Sequence, residues 1–426
     1  MEFKQVKSLK GEITVPGDKS ISHRAIMLGS IAKGITEIHG FLKSADCLST
    51  ITCFQSMGVS IIENNNVIKV TGNGMYNLKT PSTILNVGNS GTTIRLLSGI
   101  LCAQSFSSTV TGDNSIQKRP MQRIIEPLSN MGANISSLSN NSCAPLSIHP
   151  SHLHGIIYKS PTASAQVKSS ILLAGLYAEG PTTVYEPYLS RNHSEIMLSA
   201  FGADINSSDN QVTIFPANEL YGQKVTVPGD ISSAAYFIAA GLIIPDSEIL
   251  IKNVGINQTR DGIIKVIKQM GGKISLLNKR NTCGEFVADI LVQTSDLHGI
   301  TIEGSIIPTL IDELPIIAVI ATQACGTTII KDATELKVKE CNRINAVTEN
   351  LKKMGANITA TDDGFIIEGS TKLHGAIIET YKDHRIAMSF TIAALVALGE
   401  TSIHDSDCVT ISYPEFYKDI YSLLNN

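Results

Sequence analysis

The stretch "VPGDKSISHRAI" places Lys19, Ser20, Ser22 and Arg24 where a helix should begin. A helix start already carries partial positive charge, so cations there are unfavourable unless an anion lies beside them. Similar polar starts recur along the chain. "NVGNSGTTIR" carries Asn89, Ser90, Gly91, Thr92 and Arg95, and "SAQVKSS" carries Ser164, Gln166 and Lys168. "LIDELP" offers Asp312 and Glu313, and "KDHRIAM" offers Asp383, His384 and Arg385. A second copy of the first motif, "VPGDISSAAYFI", has no cation after Asp230. Further cations precede other helices: Arg119 and Arg123 around Pro120, Arg191 in "YLSRNHSEI", and Lys339 and Arg343 on either side of Glu340. Pro120 is expected at the first helical position. Lys339 and Arg343 are expected four apart on one helix face, a repulsive pair unless an anion bridges them. Many cations, hydroxyls for close approach and two or three acids suit small polyanions and general acid–base chemistry.

Other chemistries find little support. No G-x-x-x-x-G-K-[ST] loop, dinucleotide G-x-G-x-x-G loop or H-E-x-x-H motif occurs. Trp is absent and aromatic residues are 5 % of the 426, too few to favour base stacking. The net charge of −4 gives no overall pull toward nucleic acid or an anionic membrane. The eight cysteines form no C-x-x-C pair and read as reduced thiols, which with the absence of a signal core or membrane span predicts a cytoplasmic protein. His152 and His154 lack partners at metal-binding spacing and read as a surface loop. No metal is expected.

The elements that must position these residues form a repeat. A strand signal of the type G-x-T recurs as "GITEIHG", "SSTVTGD", "GPTTVYE", "SEILIKN", "GTTIIKD" and "GETSIHD". A glycine closing a helix before a strand recurs in "MGVSI", "MGANI", "FGADI", "MGGKI" and a second "MGANI", at intervals of 74, 70, 69 and 84 residues. A period near 70 divides the chain into six. Each unit reads as strand, apolar helix, strand, amphipathic helix, then one or two strands, which is an α/β architecture. The apolar helices are expected to start near residues 20, 91, 164, 231, 311 and 384. The two "VPGD" copies lie 212 residues apart, so two domains of three units are expected, with a crossing at each copy. The boundaries put residues 1–17 with 229–426 in one domain and 18–228 in the other.

The segments "VPGDKSISHRA", "GNSGTTIRLL", "GDNSIQKRPM", "SAQVKSSILLAGL", "LKVKECNRI" and "DHRIAMSF" resemble, in order, the signatures of the 5-enolpyruvylshikimate-3-phosphate synthase family. The resemblance implies two inverse α/β barrel domains of three βαβαββ repeats each, joined by a two-strand hinge with the active site between them. It implies transfer of the enolpyruvyl group of phosphoenolpyruvate to the 5-hydroxyl of shikimate 3-phosphate. Phosphate leaves through a tetrahedral intermediate, without metal or organic cofactor. A monomer is the family expectation.

Carried onto matching positions, Lys19 resembles the Lys that touches both substrates and protonates the enol ether. Ser20, Arg24, Ser164, Gln166, Arg191 and Lys339 fall at shikimate 3-phosphate positions. Gly91, Arg119, Gln166, Arg343 and Arg385 fall at phosphoenolpyruvate positions. Asp312 resembles the base for the 5-hydroxyl, and Glu340 the acid–base group serving the methylene carbon. Gly91 stands where Ala disfavours the inhibitor glyphosate, so it permits that ligand without establishing sensitivity. The chain departs from many relatives in having Thr410 and Ile411 where a Lys precedes "[ST]-[FY]-P", and Glu335 where some have Asn. An enolpyruvyl transferase acting on UDP-N-acetylglucosamine would expect a Cys in "GDNSIQKRP", which has none. A non-catalytic anion-binding scaffold would not need the acids.

Overall fold

The computed structural model describes residues 1–282 and 284–424. The chain divides into two compact units. A split unit holds residues 1–16, 228–281 and 285–424; an inserted unit holds residues 17–227 together with Thr282 and Gly284. Each has its own hydrophobic core.

The inserted unit contains α1 (Lys19–Ile31), α2 (Ala45–Ser56), α3 (Gly91–Leu101), α4 (Gln122–Asn130), α5 (Ala165–Gly175) and α6 (His193–Ala200). Its three four-stranded sheets share one plan. A lead strand runs parallel to the strand after the first helix, and two antiparallel strands complete the sheet. The split unit contains α7 (Ile231–Ile243), α8 (Gly262–Gln269), α9 (Leu314–Gln323), α10 (Arg343–Lys353), α11 (His384–Val396) and α12 (Phe416–Leu424). Two of its sheets follow the same plan, and the third has three strands. That last sheet takes its antiparallel strand from the chain start, Glu2–Lys4 against Glu400–Ile403. All six G-x-T segments form strands, as the sequence pattern predicts, and each lies beside a lead strand.

The odd-numbered helices are buried nearly all round. Every residue of α1 beyond Lys19 and Ser20 is buried, and every residue of α11 before Val396. α7 includes Gly241 and several β-branched residues, weak helix formers by up to about 1 kcal/mol each. Burying each large apolar side chain gives about 1.5–3 kcal/mol, so packing rather than propensity holds this helix. The five glycines that close even-numbered helices, at 58, 132, 202, 271 and 355, all have φ between 84° and 96°. That left-handed conformation stops the helix and turns the chain into the next strand.

The two "VPGD" segments mark an exchange of lead strands. Lys10–Thr14 leads in sequence to α1 of the inserted unit, yet pairs with Glu248–Gly255 of the split unit. Lys224–Thr226 leads to α7 of the split unit, yet pairs with Lys33–His39 of the inserted unit. Each "VPGD" is thus the point where the chain leaves one unit for the other, and each Asp caps the helix that follows. Asp18 accepts from Ile21 N at 2.9 Å and Asp230 from Ser232 N at 2.9 Å.

Three local expectations change. α9 starts at Leu314, three residues after the expected start, with Pro315 in its first turn and Asp312 in the turn before it. Pro120 precedes the cap residue Met121 of α4, so it ends the preceding loop rather than opening the helix. Lys339 ends a 3₁₀ segment (Thr334–Val338) while Arg343 opens α10, so they do not share a helix face. No helix among the described residues is long and apolar enough to cross a membrane.

Candidate functional site

In the inserted unit the starts of α1, α3, α5 and α6 bring most of the expected residues together. Lys19 opens α1, and its Nζ lies 3.1 Å from Asp46 Oδ2 in the first turn of α2. That carboxylate offsets the cation at a helix start. Five residues on, the buried Arg24 donates from Nε to Ser194 Oγ at 2.7 Å, from Nη2 to Ser169 Oγ at 2.7 Å and from Nη1 to Ser20 O at 3.0 Å. Arg191 Nη1 reaches Ser20 Oγ at 3.3 Å, so α1 and the loop before α6 meet at Ser20. Ser164 is the cap position of α5 without a side-chain capping bond.

A second group surrounds the start of α3. Gln166 accepts from Arg95 Nη1 and donates from Nε2 to Thr92 Oγ1 at 3.1 Å. Arg95 also donates to Pro120 O at 3.3 Å. Arg119 donates from Nη2 to Asn89 Oδ1 at 2.9 Å and to Ser115 Oγ at 3.1 Å. Gly91 lies between these two arginines. A Cβ on it would stand 3.1 Å from Arg119 Nη1 and 3.2 Å from Arg95 Nη1. His23, buried in α1, connects the two groups through hydroxyls: Nδ1 to Thr50 Oγ1, Thr50 to Thr93 Oγ1, and Thr93 to Ser90 Oγ, each at 2.7 Å. Burial, with Lys19 and Arg24 nearby, holds the His23 imidazole well below 6.5 and so neutral at pH 7.

In the split unit, Asp312 is the centre of a charge cluster. Its Oδ1 lies 3.4 Å from Lys339 Nζ and 3.5 Å from Arg343 Nη1, and its Oδ2 lies 3.7 Å from Arg385 Nη2. The anion that bridges Lys339 and Arg343 is therefore a side chain of the protein. Arg343 is 1 % exposed, which would be costly without its partners. It makes a fork onto Asp383, Nε to Oδ2 at 2.8 Å and Nη2 to Oδ1 at 3.2 Å, and also binds Glu340. Burial opposes charge on Arg343, but Asp383 and Glu340 more than reverse it and raise its pKa well above the ordinary guanidinium value. Burial likewise pushes the Asp383 carboxyl up, and Arg343 more than reverses it, so the net shift is downward. Asp383 also caps α11 through Arg385 N at 2.9 Å.

The uncharged "VPGDISS" is less bland than its sequence. Arg260, from the loop before α8, donates to Asp230 Oδ1 at 3.0 Å and to Ser232 Oγ at 2.6 Å. Ser232 in turn donates to Glu313, which is 1 % exposed and whose Oε1 is 3.9 Å from Arg385 Nη1. Thr410 and Ile411 lie in a 3₁₀ segment (Ser406–Ile411), and Thr410 donates from Oγ1 to Asp407 O at 2.8 Å.

A family model described as EPSP synthase (3-phosphoshikimate 1-carboxyvinyltransferase) matches residues 3–420. The chain belongs to the EPSP synthase family. The 3-phosphoshikimate 1-carboxyvinyltransferase of Thermoanaerobacter sp. (strain X514) is 59 % identical over 98 % of both chains. That of Brevibacillus brevis is 54 % identical, again over 98 % of both. An EPSP synthase structure from Acinetobacter baumannii superposes with a TM-score of 0.88 at 45 % identity, covering 99 % of this chain and 97 % of that one. The α/β architecture of the EPSP synthase fold expected from the repeat is therefore present.

Within this EPSP synthase family member, sequence reading missed Asp46 and Arg260 and left Asp383 among the general polar residues. Asp46 had a usable signal, an acid in the first turn of a helix capped by Ser44. Arg260 had a weaker one, a cation in the loop before the second helix of its repeat, where Arg119 and Arg191 stand in theirs.

Proposed function

We infer that this chain transfers the enolpyruvyl group of phosphoenolpyruvate to the 5-hydroxyl of shikimate 3-phosphate and releases phosphate. What carries the reading is Asp312, a carboxylate with three cations, Lys339, Arg343 and Arg385, at 3.4–3.7 Å. Two anionic substrates need surplus cations, and the attacking hydroxyl needs a base among them. In the proposed reaction Asp312 takes the 5-hydroxyl proton as that oxygen attacks C2 of phosphoenolpyruvate, while Lys19 or Glu340 protonates the methylene carbon. The tetrahedral adduct then loses a methyl proton as the bond from C2 to the phosphate oxygen breaks. Enolpyruvyl ether and inorganic phosphate result. Arg119 and Arg385 suit the carboxylate and phosphate of phosphoenolpyruvate, with Gly91 leaving room beside Arg119. Arg24 and Arg191 suit the 3-phosphate of the other substrate.

The same reading places a monomer in the cytoplasm, acting on free metabolites without nucleic acid and open to glyphosate beside Gly91. Its support is the net charge of −4, reduced-thiol usage and a glycine at that position. The test is phosphate release from phosphoenolpyruvate, with shikimate 3-phosphate and UDP-N-acetylglucosamine supplied in parallel. Release is expected only with the former. Lys19→Met, Asp312→Ala and Glu340→Ala should each lose about 10²–10⁴-fold in kcat while keeping the parent circular dichroism. Full turnover in any one would remove that residue from its role, and release with the nucleotide sugar alone would overturn the reading.

A further inference from the structure

Lys168 is a buried cation for which the reaction has no use. It lies in the first turn of α5, two residues after Gln166, and is 2 % exposed. Its Nζ is 2.8 Å from Glu186 Oε2 and 2.7 Å from Glu195 Oε1, and it donates to Ser190 O at 3.4 Å. Glu186 follows the strand Thr182–Tyr185, and Glu195 is in the first turn of α6. Glu186 Oε2 also accepts from Ser190 N at 3.3 Å. One ammonium therefore ties together both ends of the loop that carries Arg191, and its middle.

The adjacent residues repeat the contact. Ser169, next to Lys168, and Ser194, next to Glu195, share a hydrogen bond of 2.6 Å, and both accept from Arg24. The register that joins Lys168 to Glu195 thus also sets the two hydroxyls that hold Arg24. Two carboxylates against one ammonium leave a net negative charge in a buried place. Among the described residues, Glu186 Oε1 and Glu195 Oε2 have no hydrogen-bond partner. A purely structural tie would be cheaper with one glutamate, since each buried charge carries a desolvation cost. The second carboxylate makes sense next to the loop that carries Arg191.

We propose that Lys168, Glu186 and Glu195 are positioning residues that set Arg24 and Arg191 for the 3-phosphate of shikimate 3-phosphate. The proposal rests on the reading above. The triad does not reach the substrate; it fixes the loop and helix start whose arginines do, and it supplies a resident counter-charge when the phosphate has left.

The experiment compares the binding of shikimate 3-phosphate with that of shikimate, which lacks only the phosphate. Phosphate release by the parent protein is measured first; its absence overturns the functional reading and this proposal with it. With the parent active, Glu195→Gln keeps the Lys168–Glu186 pair and the side-chain shape. It should lower the preference for shikimate 3-phosphate over shikimate about tenfold, while affinity for shikimate itself changes less than about twofold. Lys168→Met should do the same, and Lys168→Arg should recover part of the preference. If Lys168→Met fails to fold, Glu195→Gln decides alone. An unchanged preference in Glu195→Gln overturns the proposal, and so does an equal loss for both ligands, the mark of a structural role only.

Discussion

A methyl group on Gly91 would meet Arg119 Nη1 at 3.1 Å and Arg95 Nη1 at 3.2 Å. Neither guanidinium moves freely, since Asn89 and Ser115 hold the first and Gln166 and Pro120 O hold the second. Gly91→Ala should therefore raise KM for phosphoenolpyruvate about tenfold, or about 1.4 kcal/mol, and leave KM for shikimate 3-phosphate near the parent value. Initial rates with each substrate varied in turn would check this, and equal rises in both constants would contradict it. Gly91, Lys19 and the arginines stand out in the sequence because residue type and position at a helix start already suggest an anion. Their partners were harder to read. Asp46 lies 27 residues from Lys19, Asp383 lies 40 from Arg343, and Ser194 lies 170 from Arg24. No local spacing rule connects such pairs; only packed repeats do.

At the scale of elements, the start of α10 depends on the start of α11. Arg343 opens one helix, and the carboxylate it grips caps the other. Removing one partner of a buried ion pair leaves an uncompensated charge, at a cost of about 3–5 kcal/mol. Asp383→Asn should lose stability of that order by urea unfolding, even though Asn caps helices well. A loss no larger than that of an ordinary surface substitution would show that Glu340 and Asp312 suffice for Arg343. The helices and strands themselves were largely readable, because G-x-T strands recur six times and closing glycines five times at a similar spacing. The crossing at each "VPGD" was expected too, but the strand that each lead strand pairs with was not. Lys10–Thr14 and Lys224–Thr226 choose partners through backbone hydrogen bonds, which carry no residue signature. The late start of α9 was missed because the apolar pattern continues through Ile311, whereas Pro315 and the acids set the actual turn.

Over the whole molecule, buried titratable groups give stability a pH dependence. Burial, with Asp312 adding to it, raises Glu313 above its ordinary 4.5 against the pull of Arg260 and Arg385. The folded chain then binds more protons than the unfolded one, so this group's contribution falls as pH rises from 4.5 through the raised value. Glu313→Gln keeps an acceptor for Ser232 and removes that loss. The variant should gain on the parent as pH rises above 4.5, read as urea midpoints, and a constant difference would contradict the assignment. His23 acts in the other direction. Its lowered pKa makes its contribution complete above 6.5 and progressively lost as pH falls below.

The exchange of lead strands also bears on how the gene can be cut. In the split unit Pro16 O accepts from Asp230 N at 2.9 Å, so the two ends left by removing residues 17–227 already touch. In the inserted unit Gly17 and Val227 come equally close, a Cβ on Gly17 standing 3.1 Å from Val227 Cγ1. The stretch between them contains every strand of its own three sheets. The polypeptide is thus one closed ring of three repeats spliced into a peptide bond of another. Either ring can be given new ends, or its old ends sealed, without any strand changing its neighbours.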